Sequence, residues 1–189
     1  MEGKLIVFSA PSGAGKTSII KYLLDKILST EFSISATSRK PRENEKNGID
    51  YHFISVDSFK KKIENNDFIE SEEVYDNVFY GTLNSEIVRI WQNGNTVLLD
   101  MDVKGGLKIK SIFKEKALSI FVKPPSIKAL DNRLTKRALD TQKSIQERLK
   151  KSEFELRYAE EFDVVLENND LDKTKKEAFR IVSEFIEGK

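Results

Sequence analysis

The chain has 189 residues, enough for one domain or one core carrying an insertion. Its 32 Lys and Arg balance 31 Asp and Glu to a net charge of +1, which speaks against a general nucleic-acid or membrane-surface binder. With no cysteine and one histidine, a disulfide scaffold, a thiolate metal site, a cysteine nucleophile and a histidine-based zinc site are set aside.

The apolar run at the start, Leu5 to Phe8, is too short for a secretory signal, and no stretch approaches a membrane span. A cytoplasmic protein is the expectation. Lys4 to Ser9 reads as a buried strand, and Ala10-Pro11-Ser12-Gly13-Ala14-Gly15-Lys16-Thr17 as a loop of small residues. Ile19, Ile20, Leu23, Leu24, Ile27 and Leu28 then recur at helical spacing and predict one buried helix face. Phe32 to Phe53 holds short extended pieces interrupted by a polar, turn-rich stretch over 39–48. Val56 to Ile63 predicts a helix capped by Ser55 or Asp57, and Ile87 to Gln92 another, closed near Gly94. Thr96 to Leu99, running into Asp100-Met101-Asp102, and Leu118 to Val122 suit central parallel strands buried on both faces. Residues 126–158 read as charged and mostly helical, Phe162 to Leu166 as a last strand, and Leu171 to Ile186 as an amphipathic helix. Strands alternating with helices predict an α/β fold around a parallel sheet; 33–90 fits the alternation poorly and reads as an insertion.

The loop over 10–17 carries the strongest chemical signal. The pattern G-x-x-x-x-G-K-[ST] is met except at its first position, where Ala10 stands. Gly13 and Gly15 let the backbone curl its N–H groups around phosphate oxygens, and the helix N-terminus adds its positive dipole end. Lys16 would reach the β- and γ-phosphates and Thr17 would ligate Mg²⁺. Asp100, at the C-terminal end of a buried strand, stands where ligands gather in open α/β sheets and would hold the same ion. Asp102 would share its face if the strand continued. A second phosphate is suggested by Ser35-Ala36-Thr37-Ser38-Arg39-Lys40-Pro41-Arg42, where two arginine forks stand among hydroxyls, with Tyr51 as a further donor. A solvated basic loop is the plainer alternative there. His52, Trp91, the Lys60–Lys62 run and the phenylalanines read as strand, packing, solvated helix face and core.

Joined in order, these pieces resemble the guanylate kinases. The resemblance covers 10–17, Ser35-x-Thr37-Ser38-Arg39-x-Pro41-Arg42-x-x-Glu45, Gly48-x-Asp50-Tyr51-x-Phe53, Phe68-Ile69-Glu70, Tyr80-Gly81-Thr82 and Leu98 to Val103 with Gly105. It continues through Arg133-Leu134, Arg137, Ser144 to Leu149 and Asn168. It implies a P-loop NTPase three-layer α/β/α core (1–32, 91–125 and 160–189). An inserted GMP-binding region with a small mixed β-sheet (33–90) and a helical lid (126–159) would complete the fold. The implied reaction moves the γ-phosphate of MgATP to GMP, giving ADP and GDP.

By the same resemblance Ser35, Arg39, Arg42, Tyr51 and Tyr80 hold the GMP phosphate, while Glu70 and Thr82 read guanine and Asp102 faces it. One carboxylate can accept both guanine N1–H and N2–H₂, whereas adenine offers a lone pair at N1 and no N2 amine. The residues themselves leave Glu72 and Glu73 open beside Glu70; the resemblance selects Glu70. ATP would be held by Ala10 to Thr17, Arg133 and Asn168, the last beside adenine. Lys16, Arg39, Arg42, Arg137 and Arg148 would carry catalysis. Arg137 and Arg148 could converge only if a loop, such as 139–143, breaks the helix between them. Ala10 in place of the first glycine, and Leu139 where the family often has a small polar residue, are departures that remove no charge. A catalytically silent, phosphopeptide-binding module of the same fold is the alternative; Lys16, Thr17 and the lid arginines speak against it. The expected partners are ATP and GMP, with no nucleic acid and no membrane, and the sequence leaves the oligomeric state open.

Overall fold

A computed structural model describes residues 3–136 and 142–188. Strand β1 (Leu5–Ser9) is buried along its whole length, and helix α1 (Lys16–Lys26) follows the loop. Ile19, Ile20 and Leu23 face the core as the spacing predicts. Leu28 does not: the helix stops at Lys26, Ile27 turns extended, and Leu28 is left 89% exposed.

The next strands are β2 (Thr30–Phe32), β3 (Ala36–Thr37) and β4 (His52–Phe53). Helix α2 (Val56–Glu64) opens on Ser55, whose hydroxyl accepts from the Ser58 N–H. Strands β5 (Phe68–Tyr75) and β6 (Val78–Leu83) lead to α3 (Asn84–Gln92), then β7 (Thr96–Met101). The strand ends at Met101. Asp102 therefore does not continue it: it caps α4 (Val103–Phe113), accepting from the Gly105 N–H at 2.8 Å. Strand β8 (Ala117–Lys123), α5 (Ile127–Lys136), α6 (Gln142–Leu156), β9 (Val164–Glu167) and α7 (Leu171–Glu187) complete the order.

Five strands form one sheet in the order β2-β7-β1-β8-β9, with β1–β8 and β8–β9 parallel. A smaller mixed sheet runs β4-β3-β6-β5: β3–β4 is parallel, while β6 pairs antiparallel with both β3 and β5. This is the α/β architecture predicted, with its second small sheet.

The described residues divide into two compact units, 31–97 with Gly3, and 4–30 with 98–136 and 142–188. In the first, Ala36, Phe59 and Phe79 form a buried cluster. The Phe59 ring stacks on Phe68 at 4.4 Å. In the second, Val103, Phe121, Ala159 and Phe162 pack together, and Leu130, Leu134 and Ile145 join α5 to α6. Lys4 ties β1 to the end of α7, donating to the Phe185 carbonyl at 2.6 Å and the Ile186 carbonyl at 3.0 Å. The Phe185 carbonyl also accepts from the Gly188 N–H at 3.3 Å, and the lysine ammonium meets the negative end of the helix dipole.

Candidate active site

The nucleotide loop lies between β1 and α1, and its shape is fixed by backbone turns and by two polar side chains beneath it. The Ala14 N–H donates to the Pro11 carbonyl at 3.0 Å. Gly15 sits at φ 103°, a conformation that only glycine adopts freely. The Ala14 carbonyl accepts from Asn168 Nδ2 at 2.7 Å, and Asn168 is itself 2% exposed. Arg133 donates to the Asn168 carbonyl at 3.0 Å and more weakly to that of Ala14. Both residues thus support the loop from its protein side. The sequence suggests for them only a role toward the nucleotide.

Lys16 pairs with the Asp100 carboxylate and donates to the Met101 carbonyl at 3.1 Å. Thr17, in the first turn of α1, is exposed. Arg148, on α6, donates to the Ser12 hydroxyl at 3.0 Å, so a predicted lid arginine does reach the nucleotide loop. Helix α6 already begins at Gln142, so 142–143 are helical rather than loop. Arg137 and Leu139 lie outside the described residues. Nearby, Glu155 is 6% exposed, and burial pushes its carboxyl above the ordinary range. Lys151 at 3.8 Å and the charge of Lys16 pull the other way, while Asp102 adds to the rise.

The second constellation is built on the small sheet. Arg39, just after β3, sends its guanidinium to Glu45 through both Nη atoms, at 2.5 and 2.7 Å, and its Nε–H to the Tyr80 hydroxyl at 2.9 Å. The aromatic rings of Tyr51 and Phe53 lie 5.0 and 5.5 Å from the guanidinium carbon. Such a cation is held by hydrogen bonds and by the ring faces together. Its hydrogen bonds to Glu45, ahead of that to Tyr80, raise the Arg39 pKa further; the same fork, with the Arg42 N–H, draws the Glu45 carboxyl down to about 2. Ser35 is tied to β4 through its carbonyl, which accepts from the His52 N–H.

On the neighbouring hairpin, Glu70 and Thr82 are cross-strand partners, and the Thr82 hydroxyl donates to Glu70 Oε1 at 2.9 Å. Gly81 is needed for the close approach: a Cβ there would stand 2.9 Å from the Glu70 carbonyl and from the Phe68 ring. Of the three glutamates that the residues left open, Glu70 takes a hydrogen bond from the buried Thr82 hydroxyl.

One unit thus carries a phosphate loop with a lysine and a hydroxyl. The other carries two arginines joined through Glu45 and, on its hairpin, a threonine-oriented carboxylate. The family model for guanylate kinase matches residues 2–186. The chain belongs to the guanylate kinase family.

Among its relatives, a guanylate kinase of Bacteroides thetaiotaomicron is 49% identical over 98% of this chain and 91% of that protein. One of Chlorobaculum tepidum is 44% identical over 98% of this chain and 94% of its own length. The crystal structure of guanylate kinase from Anaplasma phagocytophilum matches with a TM-score of 0.76 at 29% identity, covering 96% of this chain and 85% of that one. As a member of the guanylate kinase family the chain is a nucleoside monophosphate kinase, an ATP:GMP phosphotransferase. No helix among the described residues is long and apolar enough to cross a membrane.

Proposed function

We propose that this kinase binds GMP in 33–90 and ATP on the 10–17 loop, with 126–159 serving as the lid and the remainder as the core. The observation that carries the acceptor assignment is the Thr82–Glu70 hydrogen bond. It fixes a half-buried carboxylate that can accept from two adjacent guanine N–H groups, which no other common base presents side by side. Ser35, Arg39, Arg42, Tyr51 and Tyr80 would hold the GMP phosphate, and Asp102, already committed to the α4 N-terminus through one oxygen, would face the base with the other.

On the donor side, backbone N–H groups of 10–17 and the N-terminus of α1 would take the ATP phosphates, with Asn168 and Arg133 keeping that loop in shape. Lys16 would leave Asp100 for the β- and γ-phosphate oxygens, exchanging one anion for another. Thr17 and Asp100 are hard oxygen donors at the mouth of the loop, a set that suits Mg²⁺ completed by phosphate oxygens and water. When bound, that ion would supply charge neutralisation at the phosphates. Phosphoryl transfer is catalysed chiefly by positioning and electrostatic stabilisation, so Lys16, Arg39, Arg42, Arg137 and Arg148 suffice without a general base. The GMP phosphate oxygen that attacks is already an anion. Closure of the lid would keep water from the γ-phosphate.

The test is ADP formation from MgATP with GMP, AMP, dTMP or no acceptor. Turnover with GMP alone is the expected outcome. ADP formed without dependence on GMP would refute the acceptor assignment. Folded protein that forms none would favour the silent binding module.

A further inference from the structure

Glu45 has no place among the proposed ligands of the acceptor phosphate, yet it contacts both arginines of that constellation. Its carboxylate accepts from both Nη atoms of Arg39 and also from the Arg42 backbone N–H at 2.8 Å. A turn returns the favour, the Glu45 N–H donating to the Arg42 carbonyl at 3.0 Å. The ion pair is well shielded, with the two side chains 15% and 17% exposed.

The hydrogen-bond inventory of Arg39 shows what this achieves. Nε–H goes to Tyr80, one Nη1 N–H to the Lys40 carbonyl at 3.0 Å, and one N–H on each Nη to Glu45. That leaves an Nη2 N–H for an incoming anion. Because the Tyr80 oxygen accepts from Arg39, the Tyr80 proton is turned away from the arginine and is free to donate. The Tyr51 ring lies edge-on to Tyr80 at 5.8 Å and also stacks against the guanidinium. Rotating the guanidinium would therefore disturb Arg39, Tyr80 and Tyr51 together.

We propose that Glu45 is a positioning residue of the acceptor site: it locks the Arg39 fork so that the remaining Arg39 N–H and the Tyr80 hydroxyl proton are aimed at the phosphate of the incoming nucleoside monophosphate. A carboxylate so near a phosphate dianion repels it, and the orientation it imposes outweighs that repulsion. The proposal rests on the acceptor reading of this site.

The experiment is steady-state kinetics of Glu45→Gln, an isosteric change that cannot accept the whole fork. Losing a bidentate, charge-assisted contact should raise KM for GMP about tenfold. KM for ATP should hold, and any loss in kcat should stay small beside the change in KM for GMP, the pattern of an interaction made chiefly with bound substrate. A merely structural role would lower the melting temperature without this split. Glu45→Asp keeps the charge but draws the fork back, and should move KM for GMP the same way by less; it serves if Glu45→Gln fails to fold. An unchanged KM for GMP overturns the proposal, and a lowered one does too, since it would make Glu45 a competitor of the phosphate. Arg42→Ala separates the two levels. If it raises KM for GMP while Glu45→Gln does not, only the role of Glu45 falls; if neither moves it, the acceptor reading falls.

Discussion

Replacing Gly15 with alanine strikes the nucleotide loop at its tightest point. The new Cβ would stand 2.3 Å from Asn168 Nδ2, the buried amide that supports the Ala14 carbonyl. Two costs follow. Holding a side chain at φ 103° takes about 1–2 kcal/mol. Displacing Asn168 strands a buried donor and its carbonyl, about 1–3 kcal/mol more. Gly15→Ala should therefore lose about 2–5 kcal/mol in urea denaturation. In an Asn168→Ala background the clash is gone, and only the backbone cost should remain. The two substitutions should then couple by about 1–3 kcal/mol. Additivity within about 0.5 kcal/mol, at unchanged m-value, would refute the contact as the source of the loss.

Three further outcomes are expected. Lys16→Ala should cut kcat by about 10²–10³ or more while the protein stays folded, as loss of one preorganised transition-state donor does; near-normal turnover in a folded variant would exclude the role given to Lys16. Glu70→Gln keeps an oxygen for Thr82 but turns an N–H₂ toward guanine donors, so the ratio of GMP to AMP turnover should fall about 10²-fold; an unchanged ratio contradicts the guanine assignment. Glu155→Gln should melt higher than the parent at pH 7. Burial raises the folded-state pKa of Glu155, so the charged form is the penalised one. The gain should be full above that folded value and vanish below the ordinary glutamate range; melting curves at pH 7 and pH 4 check it, and an equal gain at both would sink the reasoning.

Much of the fold was legible because buried parallel strands are near-continuous apolar runs, and β1, β7 and β8 announced themselves in that way. Helix α4 did not. Its sequence carries Gly105-Gly106 in the first turns, a pair that lowers helix propensity and hides the apolar positions Val103, Leu107 and Ile109. Leu28 departs from the predicted face because periodicity carries no information about where a helix stops. The hairpin over 68–83 turns at Asp76-Asn77 with Asn77 at φ 58°, a conformation asparagine tolerates, but three glutamates in β5 obscured the strand pattern. In the candidate site, residue types named the chemistry while partners remained invisible. Nothing in the order of the chain places Asn168 and Arg133 beneath a loop more than a hundred residues earlier, or sets the Glu45 carboxylate on the Arg39 fork. Such pairings arise only when distant segments pack.

The register of the large sheet also governs when the protein can be finished. Leu5 pairs with Ala117 and Ser9 with Phe121, so β1 leaves the ribosome with its β8 partner still unmade for more than a hundred residues. Until β7 is made this largely apolar strand has neither of its sheet neighbours, and its β8 edge stays open after that, while 31–97 is already complete and able to condense around Phe59. Such non-local pairing slows folding and prolongs exposure of sticky sequence. Growing chains arrested before β8 should thus be the aggregation-prone species, and those arrested beyond it the protease-resistant ones.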